Sequence, residues 1–169
     1  MLLLSYGLRC GEVLGLRWQD IDFDNNVIRI RQALNLVNYK ATIGKLKTKA
    51  SRRDLPMMPY IKEALTAHLE TSEMCADDLV FHASTGNPLY PNVIAKTFKK
   101  LACRAGVPPI SIHEARHTTA TLLAQAWASP KEAQVILGHT SIETTLGLYT
   151  HTNYENTSNA MAALTAGFI

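Results

Sequence analysis

The sequence predicts a mainly helical domain of the α+β class with one small antiparallel sheet. Residues 27–31 alternate apolar and basic side chains, which is the pattern of a half-exposed strand. Pro59 and Pro91 stand where helices begin, because proline fits the first helical turn. Three later segments each start with a serine or threonine followed three residues on by glutamate, the signature of a helix N-terminus. These segments start at Ser111, Ser129 and Thr140.

The first part of the chain predicts two short helices and a turn. Residues 1–8 are apolar and helix-like up to Gly7, and a second helix is expected after Gly11, ending near Trp18. Residues 20–26 are rich in Asp and Asn, which favour turns because their side chains bond the nearby backbone.

Three strands are expected next. Residues 27–31 are predicted to form the first, residues 42–47 the second and residues 53–57 the third. A turn over 47–51 would join the last two as a hairpin. Helices are then expected from Pro59 to about Thr71 and over 92–105, followed by the three capped helices.

The composition is that of a small globular protein with mildly basic character. The chain has 169 residues, of which 47% are hydrophobic and 18% charged, enough for one domain with a core. The formal net charge is +3, and lysines and arginines concentrate within 40–53 and 96–104, which suits a polyanionic partner. The apolar run at 2–4 is too short for a membrane span, so no membrane association is expected.

The three cysteines, Cys10, Cys75 and Cys103, indicate a reducing compartment. Their number is odd and no C-x-x-C pair occurs, so free thiols are expected rather than disulfides. Their spacing suits no zinc site built from Cys and His. We therefore expect a cytoplasmic location and no metal.

Several residues that suit phosphate chemistry occur far apart in the sequence. His113 and Arg116 lie three residues apart near the start of a capped helix, where backbone N–H groups and the helix dipole favour an anion. Arg9 lies between Gly7 and Gly11, which leave the backbone free to aim its planar fork of donors. Charged residues on a helix are more often simply solvated, and spacing alone does not exclude that interpretation.

Three other side chains complete the candidate set. His139 either satisfies a local carbonyl group or donates to a phosphate oxygen. Tyr149 is either an interface aromatic residue or a nucleophile. The ordinary pKa of a tyrosine is near ~10, so a reactive phenolate needs cations beside it. Lys47 lies at the expected hairpin turn and is either solvated or a proton donor, with Lys45 and Lys49 as competitors.

The context of these residues resembles a known family. Residues 6–18, YGLRCGEVLGLRW, resemble the first-arginine box of the tyrosine recombinases, the phage integrase family. Residues 113–117, HEARH, resemble its H-x-x-R box. Residues 137–139, LGH, followed by residues 149–151, YTH, resemble its terminal box. The match extends over nearly the whole chain, and its three ordered boxes imply the catalytic-domain fold of that family.

The resemblance implies a role for each box residue. Tyr149 would attack the scissile phosphorus and form a 3′-phosphotyrosyl link. Arg9 and Arg116 would bind the non-bridging oxygens of the phosphate, and His113 and His139 would hydrogen-bond the same group. No cofactor is implied, neither metal nor ATP, because the covalent link conserves the free energy of the phosphodiester.

The resemblance also implies supporting residues. Lys47 would protonate the leaving 5′-oxygen, with Lys49 as the alternative, and Glu12 would orient an arginine or a histidine. Four basic residues recur along one predicted helix and either contact DNA phosphates or form a solvated face. They are Lys96, Lys99, Lys100 and Arg104.

The expected unit is one catalytic domain spanning residues 1–169. Family members usually carry a core-binding domain first. We expect this chain to have none and to lack the first helices of the catalytic domain, because Arg9 follows Met1 so closely. The expected partner is double-stranded DNA, bound by a homo-tetramer of the full-length parent, with a monomer expected for the isolated chain.

Four functions are compatible with these residues. The leading one is a site-specific DNA recombinase or integrase that cleaves and rejoins strands. The second is a catalytically idle DNA-binding remnant, and the third is a type IB topoisomerase-like enzyme that relaxes supercoils. The fourth is a metal-dependent phosphodiesterase built on His113, His117 and His139, which is disfavoured because few carboxylates are suitably placed.

Overall fold

The computed structural model describes residues 1–46, 48, 51–71, 75–126 and 128–149, and for residues 148 and 149 it describes the backbone. The helices are α1 (Leu2–Ser5), α2 (Cys10–Leu14), α3 (Pro59–Glu70), α4 (Pro91–Arg104), α5 (Ile112–Gln125), α6 (Pro130–Leu137) and α7 (Glu143–Tyr149). The strands are β1 (Ile21–Asp22), β2 (Val27–Ile30), β3 (Gln32–Val37), β4 (Lys40–Lys45) and β5 (Arg53–Pro56). The predicted α+β class is confirmed. Across the described ranges, no helix has both the length and the apolar character needed to cross a bilayer.

The strands form two antiparallel sheets. In the first sheet β2 lies between β1 and β5, and in the second β3 pairs with β4. The expected hairpin between β4 and β5 is therefore wrong, because β5 pairs with β2 instead. The prediction missed β3, which follows β2 after a single residue. The true hairpin turns at Asn38 and Tyr39, whose φ angles are 49° and 61°. Positive φ at both central residues gives the backbone twist that a two-residue hairpin loop needs.

The main hydrophobic core lies on one face of the three-stranded sheet. Ile28, Ile30 and Leu55 are almost fully buried, because alternate side chains of a strand point to the same face. Ile61 and Leu65 of α3 pack into the same cluster, since residues four apart share a helical face. This core fixes β5, which supplies a buried arginine to the site described below.

Helices α5, α6 and α7 pack against one another, and α1 contacts α5. Small buried side chains at Ala115, Ala120 and Ala133 allow this close packing. The hydroxyl of Thr119 donates to the carbonyl oxygen of Leu4 at 2.8 Å and ties α5 to α1. The segment that follows α1, which contains Arg9, is thereby held near the N-terminal half of α5.

The predicted N-terminal caps form on two of the three helices. In α5 and α6 the capping serine hydroxyl accepts a hydrogen bond from the backbone of the expected glutamate, at 3.1 and 3.2 Å. The predicted cap of α7 at Thr140 is wrong. This helix begins at Glu143, whose backbone N–H donates to the hydroxyl of Ser141 at 3.1 Å. Glu143 is thus the first residue of the helix and not its third.

Candidate active site

Three arginines from distant segments meet at the C-terminal end of α6. They donate to three successive carbonyl oxygens, at 2.8, 2.6 and 3.3 Å. The pairs are Arg53 with Ile136, Arg116 with Leu137, and Arg9 with Gly138. Carbonyl groups at a helix C-terminus lack an intrahelical partner and carry the negative end of the helix dipole. This end of α6 therefore stabilises the three positive charges and fixes where they lie.

Arg116 is buried under the loop that follows α1. Its Nη1 also donates to the carbonyl oxygen of Gly7, where the backbone has φ +59°. Burial, followed by the positive charges of Arg9 and Arg53, lowers the pKa of Arg116 to about 10, against the opposing charge of Glu12. The guanidinium is still charged at neutral pH, so Arg116 can bind an anion.

Arg9 is the most solvent-accessible of the three arginines. Its side chain is 46% exposed, whereas that of Arg53 is 3% exposed. Its Nη1 donates to Oε1 of Glu12 at 3.0 Å, and its backbone N–H donates to Oε2 of the same carboxylate at 3.0 Å. One buried carboxylate therefore fixes both the main chain and the guanidinium of Arg9.

Glu12 also forms a buried bidentate ion pair with Arg53. Nη1 and Nη2 of Arg53 donate to the two carboxylate oxygens at 3.1 and 3.0 Å. Burial alone would raise the pKa of Glu12, but the hydrogen bonds and charges of Arg53 and Arg9 outweigh it and place this pKa below its ordinary value. Glu12 was expected to orient one arginine or histidine, and in the structure it contacts two arginines.

Gly138 leaves room for this ion pair. It ends α6 in the left-handed conformation with φ +67°. A Cβ atom at this position would lie 2.5 Å from Nη1 and 2.8 Å from Cζ of Arg53. Glycine is therefore required both for the turn and for the close approach of the guanidinium.

His139 follows this turn directly. Its Nδ1 lies 2.9 Å from the hydroxyl oxygen of Thr145, which orients the ring. Burial, followed by the positive charges of Arg116 and Arg9, lowers the pKa of His139 to about 4. The ring is consequently neutral at pH 7 and serves as a hydrogen-bonding group there.

His113 and His117 lie one turn apart on the exposed face of α5. Their Nε2 atoms are 3.0 Å apart, and the rings are nearly perpendicular at 88° with centroids 4.6 Å apart. His113 was expected in the phosphate-binding set, and the structure adds His117 beside it. The described part of the chain contains no group of three or more His, Cys, Asp or Glu residues able to hold a metal.

Four of the predicted site residues line one open groove of about 350 Å³. They are Arg9, His113, Arg116 and His139, and His117, Ala120 and Thr144 complete the wall. Such a cluster of cationic and polar donors suits an anion. Helix α7, which packs against α5 and α6, ends at Tyr149, whose side chain lies outside the described part of the structure.

The remaining predicted residues lie away from this groove or outside the described part. Lys47 and Lys49 are outside the described residues, but Leu46 and Thr48 line a second cleft of about 480 Å³ together with Arg9 and Glu12. The basic residues of α4 are exposed, and α4 has no buried residue. They are Lys96, Lys99, Lys100 and Arg104.

Arg53 and Thr145 were not predicted as site residues, although Thr145 lies within the terminal box. Arg53 shares one face of its strand with Leu55 and Met57, and all three are buried. An arginine on the apolar face of a predicted strand is the available signal, because a buried charge needs a partner. Thr145 had no such signal, since its contact with His139 depends on how α7 docks.

The comparison with known proteins agrees with this geometry. The model described as the phage integrase family matches residues 1–156. The chain belongs to the phage integrase family. The resemblance noted in its three sequence boxes is therefore confirmed.

Individual family members extend beyond the matched region. The chain is 33% identical to the tyrosine recombinase XerC-like protein of Caldanaerobacter subterraneus subsp. tengcongensis, over 100% of this chain and 49% of that protein. It is 34% identical to the integrase of Mycobacterium phage L5 over 79% of this chain and 38% of that protein. A solved integrase of the transposon Tn1549 superposes with a TM-score of 0.83 at 27% identity, covering 97% of this chain and 57% of that one. The chain thus spans between 38% and 57% of the length of these three proteins.

Proposed function

We propose that this phage integrase family member is the catalytic domain of a site-specific tyrosine recombinase that cleaves and rejoins DNA. The observation that supports it most strongly is the convergence of Arg9, His113, Arg116 and His139 on one groove. These residues come from three separate segments of the chain, at position 9, positions 113–116 and position 139, and each offers hydrogen bonds to an anion.

The proposed chemistry is a transfer of phosphorus from one oxygen to another. The phenolic oxygen of Tyr149 bonds to phosphorus, the bond from phosphorus to the 5′-oxygen breaks, and a 3′-phosphotyrosyl link results. The phenolic proton leaves with assistance from the histidines, and Lys47, or Lys49 in its place, protonates the departing 5′-oxygen. Rejoining is the same exchange in reverse, with a 5′-hydroxyl as the nucleophile.

The arginines lower the barrier by binding the charge that develops on phosphorus. Arg9 and Arg116 would contact the non-bridging oxygens, where preorganised donors stabilise a transition state most. His139, whose pKa is lowered to about 4, remains neutral beside them and donates a hydrogen bond without adding charge. No step of this scheme uses a metal ion or a nucleotide cofactor.

The proposed partner is double-stranded DNA, with residues 1–169 as the catalytic unit. The Tn1549 integrase was solved in complex with transposon right end DNA, which supports this partner. We further propose a homo-tetramer on DNA for the full-length protein and a location in the bacterial cytoplasm, at the nucleoid. The three cysteines are free thiols, as suits a reducing compartment.

Covalent trapping tests the proposal. A randomised pool of nicked duplexes, in which the released strand diffuses away, is incubated with this chain and with a longer parent chain in EDTA. We expect a DNA adduct through Tyr149, none with Tyr149→Phe, and unchanged DNA affinity in that variant. Tyr90→Phe, at an exposed tyrosine of the loop before α4, is the matched control and should form the adduct normally.

Other outcomes would assign another function. DNA binding without any wild-type adduct would favour an idle remnant. Strand cleavage that forms no adduct and stops on chelation would favour a metal-dependent phosphodiesterase. Relaxation of a supercoiled plasmid that lacks paired sites would favour a topoisomerase-like enzyme.

A further inference from the structure

We infer that Arg53 is a positioning residue for the proposed cleavage reaction, which orients Arg9 through Glu12 and through the turn at Gly138. The inference rests on the proposed function, because it concerns the same groove. Arg53 lies behind the groove wall, at the start of β5, and it is not among the groove-lining residues.

The Arg53 side chain is buried and nearly all of its hydrogen-bond donors are used inside the protein, so it does not bind a phosphate itself. Its Nε donates to the carbonyl oxygen of Ile136 at 2.8 Å, and its Nη1 donates to that of Ser51 at 2.9 Å. Two further N–H groups donate to Glu12, so four of its five donors are used inside the protein. With a side chain that is 3% exposed, Arg53 acts through its neighbours.

The first neighbour is Arg9. Each carboxylate oxygen of Glu12 accepts one bond from the Arg53 fork and one from Arg9, at distances of 3.0 to 3.1 Å. The fork fixes the plane of the carboxylate, and that plane sets the direction of the Arg9 guanidinium. Without the fork, the carboxylate can rotate and Arg9 loses its alignment with the groove.

The second neighbour is the turn at Gly138. The bond from Arg53 to Ile136 and the contact with Gly138 both hold the end of α6. His139 follows this turn directly, and Arg9 donates to the carbonyl oxygen of Gly138 from both Nη atoms at 3.3 Å. One buried side chain therefore fixes both acceptors of the Arg9 guanidinium, the carboxylate of Glu12 and the carbonyl group of Gly138.

The alternative is that Arg53 merely stabilises the fold, as any buried ion pair does. The two roles differ in how the effect of Arg53 combines with that of Arg9. If Arg53 only stabilises the fold, its substitution reduces the cleavage rate by the same factor whether or not the Arg9 side chain is present. A loss of Arg9 alignment has no further effect once the Arg9 side chain is absent.

The test is a double-mutant cycle on the rate of adduct formation at saturating DNA, corrected for the folded fraction. Arg53→Lys keeps the charge and removes the fork. We expect it to slow cleavage by about 30- to 100-fold, the size of effect that a 1 Å misplacement produces, while the Kd for DNA changes by less than about threefold. In the Arg9→Ala background the same substitution should slow cleavage by less than about threefold.

Two controls make the outcome decisive. Arg29→Lys, at a half-buried arginine of β2 that pairs with Asp22, should leave the cleavage rate unchanged. If Arg53→Lys does not fold, Glu12→Gln replaces it in the cycle, because it also breaks the bidentate pair and should show the same dependence on Arg9.

The results separate the two proposals. Wild-type protein that forms no adduct removes the proposed function and the role of Arg53 together. A wild-type adduct combined with an equal effect of Arg53→Lys in both backgrounds removes the role of Arg53 alone. An effect confined to the background that retains Arg9 establishes it.

Discussion

Arg116 on α5 donates from Nη2 to the carbonyl oxygen of Leu137 at 2.6 Å. A proposed phosphate-binding residue therefore also caps the helix that leads into His139. The positions of the two groups are coupled, since a shift of α6 would move the histidine and withdraw a hydrogen bond from Arg116. A substitution at Arg116 is thus expected to affect both catalysis and the packing of α6.

Arg116→Ala should remove at least ~2–4 kcal/mol of transition-state stabilisation, the loss seen when one donor to a developing oxyanion is deleted. The measurement is the single-turnover rate of adduct formation, corrected for the folded fraction. Arg52→Ala, at the exposed arginine beside Arg53, is the control and should cleave normally. Equal rates for wild type and Arg116→Ala would exclude the proposed role of Arg116.

His139 should make folding stability depend on pH in the acidic range. Its pKa is about 4 in the folded chain and 6.5 ordinarily, so the unfolded chain binds more protons between these values. The stability that neutral His139 contributes is present above pH 6.5 and is lost as the pH falls toward 4. Urea unfolding across this range should give a smaller pH slope for His139→Gln than for wild type.

His82→Gln is the matched control for this titration. His82 is half-buried, and its Nδ1 lies 2.8 Å from the carbonyl oxygen of its neighbour Ala83. This variant removes an imidazole outside the groove and controls for the substitution itself. If His139→Gln keeps the wild-type slope between pH 4 and 6.5, the burial and cationic surroundings of His139 do not determine its protonation.

Gly138→Ala should destabilise the fold more than a substitution that only strains the backbone. Gly106 has nearly the same φ, +68° against +67°, but a Cβ there would meet nothing within 4 Å. Gly106→Ala should cost about 1–2 kcal/mol from the left-handed conformation alone. Gly138→Ala also displaces the Arg53 guanidinium, and disrupting a buried pair costs about 3–5 kcal/mol.

The difference between these two variants isolates the contact with Arg53. The free energy of unfolding in urea measures it, and we expect Gly138→Ala to be the less stable by at least ~2 kcal/mol. Equal losses at the two glycines would mean that Arg53 moves aside without cost.

The basic face of α4 should contribute to the salt dependence of DNA binding. Replacing Lys96, Lys99, Lys100 and Arg104 by alanine should reduce the slope of log K against log salt by about 0.9 for each phosphate contact removed. Lys131→Ala, at an exposed lysine of α6, serves as the control. A slope that is unchanged in the quadruple variant would show that these residues form a solvated face only.

The helices were largely predictable because their signals are local. Pro59 and Pro91 open α3 and α4, and the serine boxes cap α5 and α6, since each signal acts within one turn of backbone. Strand pairing depends on contacts between distant segments, and there the prediction failed. Alternation in residues 53–57 indicates a strand, but it does not say that the partner is β2 rather than β4.

The groove residues were predicted from their boxes, but the contacts that hold them were not. Spacing gives Arg9 and Glu12 as neighbours at the start of α2, whereas Arg53 lies 41 residues beyond Glu12 and joins them only through the sheet. The coupling of Arg116 to Leu137 is equally invisible in the sequence. Tertiary packing decides which of several charged residues become buried partners.

The order of the groove residues along the chain has a consequence for biosynthesis. The ribosome makes the Arg9 segment first and then α5, which supplies one wall of the groove. The turn after α6 is made next, and the proposed nucleophile, at the end of α7, is made last. A chain still emerging from the ribosome thus has its anion-binding groups before it has the proposed nucleophile. Under the proposed function, a nascent chain cannot cleave DNA until translation has passed position 149.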